Sequence, residues 1–251
     1  MKGVVLSRVP EARLVDVSHE VAPQDIMEAA FLLKNVYPYY PAGTIHVVVV
    51  DPGVGTGRKA VGMSYQGHYF IGPDNGLFSL ILSGQKPDEL VELNRPAFWR
   101  TPTPCDTFHG RDIFSPIAAH LAQGLALSEL GTPIQDVKPL HWAYPIADDQ
   151  GIRGWITHID RFGNCISNIE GDLLTRSIAQ RPVKCYVGST ILSRISRTYG
   201  EMESGEELAL IGSHGFLEIA VNGGNAASLL GIGKGTLVSL VFSEQRKSTS
   251  A

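Results

Sequence analysis

The chain has 251 residues, 43% of them hydrophobic and 18% charged, with a formal net charge of −4. That length suits one large or two small domains, and the composition supports a packed core rather than extended disorder. The mildly acidic balance leaves no electrostatic footprint for nucleic acid. No run reaches the ~18 apolar residues of a membrane-spanning helix, and the opening MKGVVLSRVPEARLVD meets charge too early for a signal peptide.

In chain order, Gly3 to Leu6 and Ala12 to Val17 read as short strands around the turn-like Pro10. Residues 23–36 read as a helix: Pro23 suits its first turn, Asp25 and Glu28 favour the positive dipole end, and Ile26, Ala30, Leu33 and Val36 recur at helical spacing. Pro38 and Pro41 stop it. Thr44 to Val50 is a continuous β-branched run, expected as a strand buried on both faces. Tyr69 to Ile71 reads as a further strand, and Arg111 to Leu125 as a helix with Ile113, Ile117 and Leu121 on one face. Strands alternating with helices predict an α/β domain, a sheet flanked by helices, over residues 1–145. The texture changes at HWAYPIADDQG. Short apolar segments follow, at 152–159, 166–169, 183–187, 207–211, 216–221 and 236–242, separated by Gly and Asn clusters. They predict an all-β, barrel-like domain over 151–243, with 244–251 as a flexible tail.

Cys105, Cys165 and Cys185 are odd in number and show no zinc-ligand spacing, as expected of a reduced cytoplasmic protein. Four polar clusters interrupt the apolar pattern. Asp51-Pro-Gly-Val-Gly-Thr-Gly-Arg58 follows the long apolar strand, at the carboxyl end where α/β sheets bind ligands. It is neither a P-loop nor a dinucleotide fingerprint, so a tight turn with an ion pair and a ligand loop both stand. Gly72-Pro-Asp-Asn-Gly76 reads as a turn. In Thr107-Phe-His-Gly-Arg-Asp112, His109 fits a general base, a water positioner, a metal ligand or a structural histidine. In Asp160-Arg-Phe-Gly-Asn164, Phe162 fits either ring stacking or the core, and Asn164 either base-edge reading or a hairpin turn. Asn168 follows closely. His19 and Glu20 raise a metal alternative with Asp16 or Asp25, at a spacing that matches no ligand motif.

Taken in order, VDVSHEVAPQDIMEAA, VVVVDPGVGTGR, GPDNGL, TFHGRDIF, IDRFGNCISNI and GFLEIAVNGGNAASLLG resemble the S-adenosylmethionine (SAM) hydroxide adenosyltransferases, hydrolases related to the SAM-dependent fluorinating and chlorinating enzymes. The resemblance runs from residue 1 to about 242. It implies an N-terminal α/β domain, a C-terminal β-barrel, and a homotrimer with sites between neighbouring subunits. It also implies hydrolysis of SAM to adenosine and L-methionine with no metal or other cofactor. Asp51, Arg58 and His109 match the side chains credited with holding and activating the water. Asp160, Ser213 and His214 fall where the methionine amino-acid group is held, although the halogenating relatives carry arginine at the place of His214. Phe162 and Asn164 fall on adenine-stacking and adenine-reading positions, backbone near Asn222 and Gly223 approaches the base, and Gln24 replaces a ribose-facing tryptophan.

The resemblance also ranks the alternatives. The halogenating branch carries tyrosine in place of Asp51 and an extra loop that is missing here between Gly76 and Phe108, so hydrolysis is expected over halide transfer. Family members begin with a strand ending in a TDFG-like motif, whose aspartate binds the ribose hydroxyls, before a segment like MKGVVLS. Here the sequence opens at that segment, so a weak or inactive hydrolase is expected of the chain as written and an active one of a longer reading frame. A non-catalytic SAM- or adenosine-binding relative, and a metal-dependent hydrolase using His19, Glu20, Asp51 and His109, are the remaining readings.

Overall fold

A computed structural model of the chain describes residues 1–178 and 181–242. They form two compact units, one spanning Met1–Leu140 and one from His141 on. The expected tail at 244–251 lies outside the described residues.

The first unit is built on five strands: β1 (Ile45–Val47), β2 (Ala60–Tyr65), β3 (His68–Pro73), β4 (Glu89–Glu92) and β5 (Thr132–Pro133). Their order is β1-β3-β2-β4-β5, with β1 parallel to β3 and the other pairs antiparallel. Alternation along β2 and β3 divides the core. Val61, Met63 and Phe70 face a layer containing helices α2 (Ile26–Val36) and α3 (Ser79–Leu82). Ala60 and Ile71 face Ile113 and Phe114, which lead into α4 (Ser115–Ala122), and Ile117 within it. The sheet is thus covered on both faces, as an α/β domain requires.

Several local expectations are corrected. Residues 2–6 are a short helix, α1 (Lys2–Leu6), packed on α4 and pinned where Arg8 Nη1 donates to His120 Nε2 at 2.6 Å. A four-residue apolar run cannot by its period distinguish strand from helix. Residues 12–17 have no regular structure, and Leu14, Val15 and Val17 are exposed. The helix expected from Pro23 starts at Ile26, because Gln24 adopts a left-handed φ of 68° and Asp25 caps Glu28 N–H. Only 45–47 of the 44–50 run is strand. β1 pairs with β3 alone among the described residues, so an edge position leaves Ile45 and Val47 half-buried rather than enclosed. The helix expected at 111–125 is α4 preceded by a π turn over Gly110–Phe114. Pro116 has no N–H to bond the Asp112 carbonyl, which accepts Arg100 N–H instead at 2.9 Å.

The second unit holds β6 (Ile146–Ala147), β7 (Gly151–Ile159), β8 (Cys165–Glu170), β9 (Val183–Val187), β10 (Thr190–Leu192), β11 (Ile195–Ser196), β12 (Glu207–Ile211), β13 (Phe216–Val221) and β14 (Leu237–Phe242). Their order is β10-β9-β14-β7-β8-β13-β12-β11, with β6 added to β7. Every pair is antiparallel except β11–β12. The sheet curls into a nearly closed barrel around Ile156, Cys165, Leu217, Ile219 and Val238. Two short helices, α5 (Gly171–Ile178) and α6 (Ala226–Leu230), which the strand pattern did not announce, pack against it. Among the described residues, no helix is long and apolar enough to cross a membrane.

One buried polar group in the first unit has a solution consequence. His46 on β1 stacks on Phe70 with ring centroids 5.0 Å apart and meets His68, Nε2 to Nδ1, at 3.3 Å. Burial, then the His68 charge, push its pKa from 6.5 to about 4. A histidine depressed in the folded state stabilises fully above its unfolded value and loses that contribution as pH falls toward the folded value. Urea midpoints are therefore expected to drop between pH 6.5 and pH 4. His46→Phe should flatten that drop by about 2–3 kcal/mol.

Candidate active site

Asp51 follows the end of β1, Arg58 precedes β2 and His109 precedes the π turn, and the fold brings the three together. Arg58 Nε donates to Asp51 Oδ1 at 2.9 Å, and Arg58 Nη2 donates to Asp51 Oδ2, a side-on fork. The same Nη2 meets His109 Nδ1 at 2.8 Å. The Arg58 and Asp51 side chains are 9% and 5% exposed, so this is a desolvated pair whose charges must stay matched. The guanidinium also lies 5.5 Å from the centroid of the Phe114 ring.

Three local devices hold this geometry. In the Asp51–Arg58 loop, Thr56 Oγ1 donates to Gly53 O at 2.6 Å. Gly55 has φ +75°, and a Cβ there would lie 2.4 Å from Asp106 O, so only glycine lets the loop abut the His109 segment. The 72–76 cluster does more than turn the chain: Asn75 Nδ2 donates to Val50 O at 2.8 Å, tethering the residue before Asp51. On the His109 side, Asp112 is fully buried and accepts from Arg100 Nε at 2.5 Å, Arg111 Nε at 2.7 Å and Cys105 N–H at 2.9 Å. The Arg111 hydrogen bond leads in holding its carboxyl well below the usual carboxylate range. Asp112 therefore anchors the segment that carries His109.

The protonation pattern follows. Burial, then the charge of Arg58, lower the His109 pKa against the opposing carboxylates Asp51, Asp106 and Asp112. The ring is neutral near pH 7. A guanidinium only donates, so Nδ1 accepts and the proton resides on Nε2. His109 thus offers an N–H donor, while each Asp51 oxygen keeps lone-pair capacity beyond its bond to Arg58. His109 Nε2–H and the remaining Asp51 lone pairs are the donor and acceptor that this cation leaves available for a ligand. Asp51 and Gln24 supply polar side chains to a cleft of about 420 Å³ otherwise lined by apolar side chains such as Val21, Val49 and Val54.

The second unit carries the other predicted residues. Asp160 closes the β7–β8 hairpin: Oδ1 accepts from Phe162 N–H and Asn164 N–H, each at 2.9 Å, and Oδ2 accepts from Asn164 Nδ2 at 3.0 Å. Asn164 is buried, whereas Phe162 is 77% exposed and not part of the core. Ser213 and His214 form the tip of the β12–β13 hairpin, where Gly215 N–H bonds Gly212 O at 2.9 Å. Asn222 ends the adjacent stretch and donates from Nδ2 to Met202 O at 2.8 Å, with Gly223 in a left-handed φ of 73°. Asn168 is structural: its Oδ1 accepts Trp155 N–H at 3.0 Å. Sequence reasoning missed Glu218 and Tyr199. Glu218 is 2% exposed, Tyr199 Oη donates to its Oε1, and its Oε2 lies 3.7 Å from His214 Nε2. A lone carboxylate inside the apolar run FLEIAV was the available signal.

Other candidates separate. His19 is exposed and pairs with Asp16 at 3.2 Å, and among the described residues no three His, Cys, Asp or Glu side chains group as metal ligands. Cys165 and Cys185 are buried, their thiols pushed up to about 11 and about 12 by burial, while exposed Cys105 is lowered by its hydrogen bond to Thr107.

Comparison with known proteins agrees with the resemblance noted in the sequence. Residues 1–131 match the SAM hydroxide adenosyltransferase N-terminal domain and residues 154–239 its C-terminal domain. An (R)-S-adenosyl-L-methionine hydrolase of Thermus thermophilus is 39% identical over 96% of this chain and 92% of its own. A fluorinase of Nocardia brasiliensis is 26% identical over 91% and 85%. The crystal structure of an uncharacterized conserved protein from Thermotoga maritima superposes with a TM-score of 0.84 at 34% identity, covering 96% of this chain and 93% of that one.

Replacing Asp112 with Asn should expose how far the site depends on its anchor. The variant is expected to lose about 1–3 kcal/mol in urea unfolding, as charge-assisted hydrogen bonds are lost. Its His109 imidazole resonances should shift, whereas unchanged His109 resonances would show that Asp112 does not position the ring.

Proposed function

The chain belongs to the SAM hydroxide adenosyltransferase family, and from that premise we propose that it hydrolyses S-adenosyl-L-methionine to adenosine and L-methionine. The observation that carries this reading is the contact of the buried Asp51–Arg58 pair with His109, with Asp51 lining a cleft. Water attacks the ribose 5′ carbon in line with the carbon–sulfur bond. The new C–O bond forms as the C–S bond breaks, its electron pair goes to sulfur, and methionine leaves as a neutral thioether that needs no proton. One proton is released from the attacking water. The chemical demand therefore falls on the nucleophile, which must be desolvated, oriented and made more hydroxide-like.

The three side chains divide that work. Asp51 accepts a hydrogen bond from the water and takes up its developing proton. His109 donates its Nε2–H to the oxygen and fixes the direction of attack. Arg58 holds both and adds a positive field that favours hydroxide character. In the second unit, Phe162 stacks on adenine, Asn164 and backbone near Asn222 and Gly223 read its edge, and Asp160, Ser213 and His214 hold the amino-acid end. Gln24 faces the ribose. The reaction needs no metal or other cofactor, and the protein works as a cytoplasmic homotrimer with sites between neighbouring subunits. Asp51 favours water over halide as nucleophile, because a carboxylate lining the cleft repels an incoming anion.

Incubation with SAM in metal-free buffer should give equimolar adenosine and methionine above spontaneous breakdown, with no 5′-halogenated nucleoside when chloride or fluoride is added. Asp51→Ala and His109→Ala should each lower kcat about 10²–10⁴-fold. His109→Gln, which keeps an N–H donor but has no basic nitrogen, should retain clearly more activity than His109→Ala. Equal loss in the two histidine variants would reverse the donor assignment.

A further inference from the structure

Strand β13 places one carboxylate among apolar neighbours and buries it. Glu218 lies opposite Leu210 on β12 and Ile166 on β8. Among the described residues its ion-pair partner is an imidazole rather than an ammonium or guanidinium: His214 Nε2 is 3.7 Å from Oε2, and the other oxygen takes the Tyr199 hydroxyl proton in a hydrogen bond. The space is reserved for this arrangement. A Cβ on Gly212 would lie 2.5 Å from Glu218 Oε2 and 2.6 Å from His214 Cε1. Burial raises the Glu218 pKa, the phenol and imidazole oppose that, and Asp160 adds negative charge nearby. A buried carboxylate so weakly compensated is costly unless a positive charge is completed beside it.

We propose that Glu218 is a positioning residue for the amino-acid end of the substrate, holding the His214 ring so that it faces the α-carboxylate of SAM and of methionine. The inference rests on the placement of that end at Asp160, Ser213 and His214. Within the second unit Asp160 then faces the α-ammonium, and the His214 ring, backed by Glu218, faces the α-carboxylate. Tyr199 occupies the second Glu218 oxygen and leaves one oxygen directed at the ring. An arginine at position 214 would carry its charge without such help, whereas a histidine needs a carboxylate behind it.

Glu218→Gln keeps the shape and an acceptor for Tyr199 but removes the charge. Calorimetric titration of the full chain is expected to show methionine binding about tenfold to a hundredfold weaker, with adenosine binding unchanged because adenosine has no amino-acid end. The KM for SAM should rise by a similar factor, while kcat changes less than about threefold. Gly212→Ala, whose methyl would crowd both the imidazole and the carboxylate while leaving both side chains chemically intact, should show the same split. The double variant His214→Arg with Glu218→Gln should regain methionine affinity. Unchanged methionine affinity in both single variants, or equal weakening of adenosine, overturns the positioning role. If the unaltered protein binds neither methionine nor SAM, the proposed function itself fails, a result distinct from either of those.

Discussion

One guanidinium organises the candidate active site. Arg58 spends three donor contacts on two residues that arrive from separate parts of the first unit, Asp51 after β1 and His109 before the π turn. Because the group can only donate, it sets the state of both neighbours. It holds both Asp51 oxygens in a side-on fork, and it forces the neutral His109 ring to carry its proton on Nε2. The donor and the acceptor that the site offers, His109 Nε2–H and the Asp51 oxygens, follow from that cation.

The surrounding fold keeps those contacts rigid. Asn75 ties down the carbonyl before Asp51, Gly55 lets the loop touch the Asp106 backbone, and Asp112 gathers Arg100, Arg111 and the Cys105 amide below His109. Each device replaces solvent with a fixed dipole or charge, so reorganisation does not have to occur at the moment of attack. The second unit follows the same logic at its hairpin tips. Asp160 satisfies the backbone of its own turn while leaving Phe162 outside the core, and the His214 ring is backed by a buried carboxylate.

Much of this was legible in the sequence, for physical reasons that differ by segment. Strands β9, β12 and β13 lie where the apolar segments were read, because alternating or continuous β-branched runs between Gly and Asn clusters leave few other structures open. The motif clusters were visible as polar interruptions, and Asp51, Arg58 and His109, which the family resemblance grouped, are in hydrogen-bond contact in the structure. The N-terminal run 3–6 was misread as strand because its fate is decided by packing on α4, which a four-residue pattern does not encode. The start of α2 was displaced by a left-handed glutamine that no propensity announces. Asp112 and Glu218 were underestimated for a common reason: a lone acid acquires meaning only from the groups that surround it in space.

The central claim is that Arg58, by bridging Asp51 and His109, delivers a water oxygen to the 5′ carbon of SAM. Its most direct test is hydrolysis in ¹⁸O-labelled water by the unaltered chain and by Arg58→Lys, with both products analysed by mass spectrometry. The account predicts one ¹⁸O atom in the 5′-hydroxyl of adenosine and none in methionine. It also predicts near-complete loss of turnover in the lysine variant, which keeps the charge but cannot form the fork and the histidine contact together. Label in any other position, or undiminished turnover by Arg58→Lys, would contradict it.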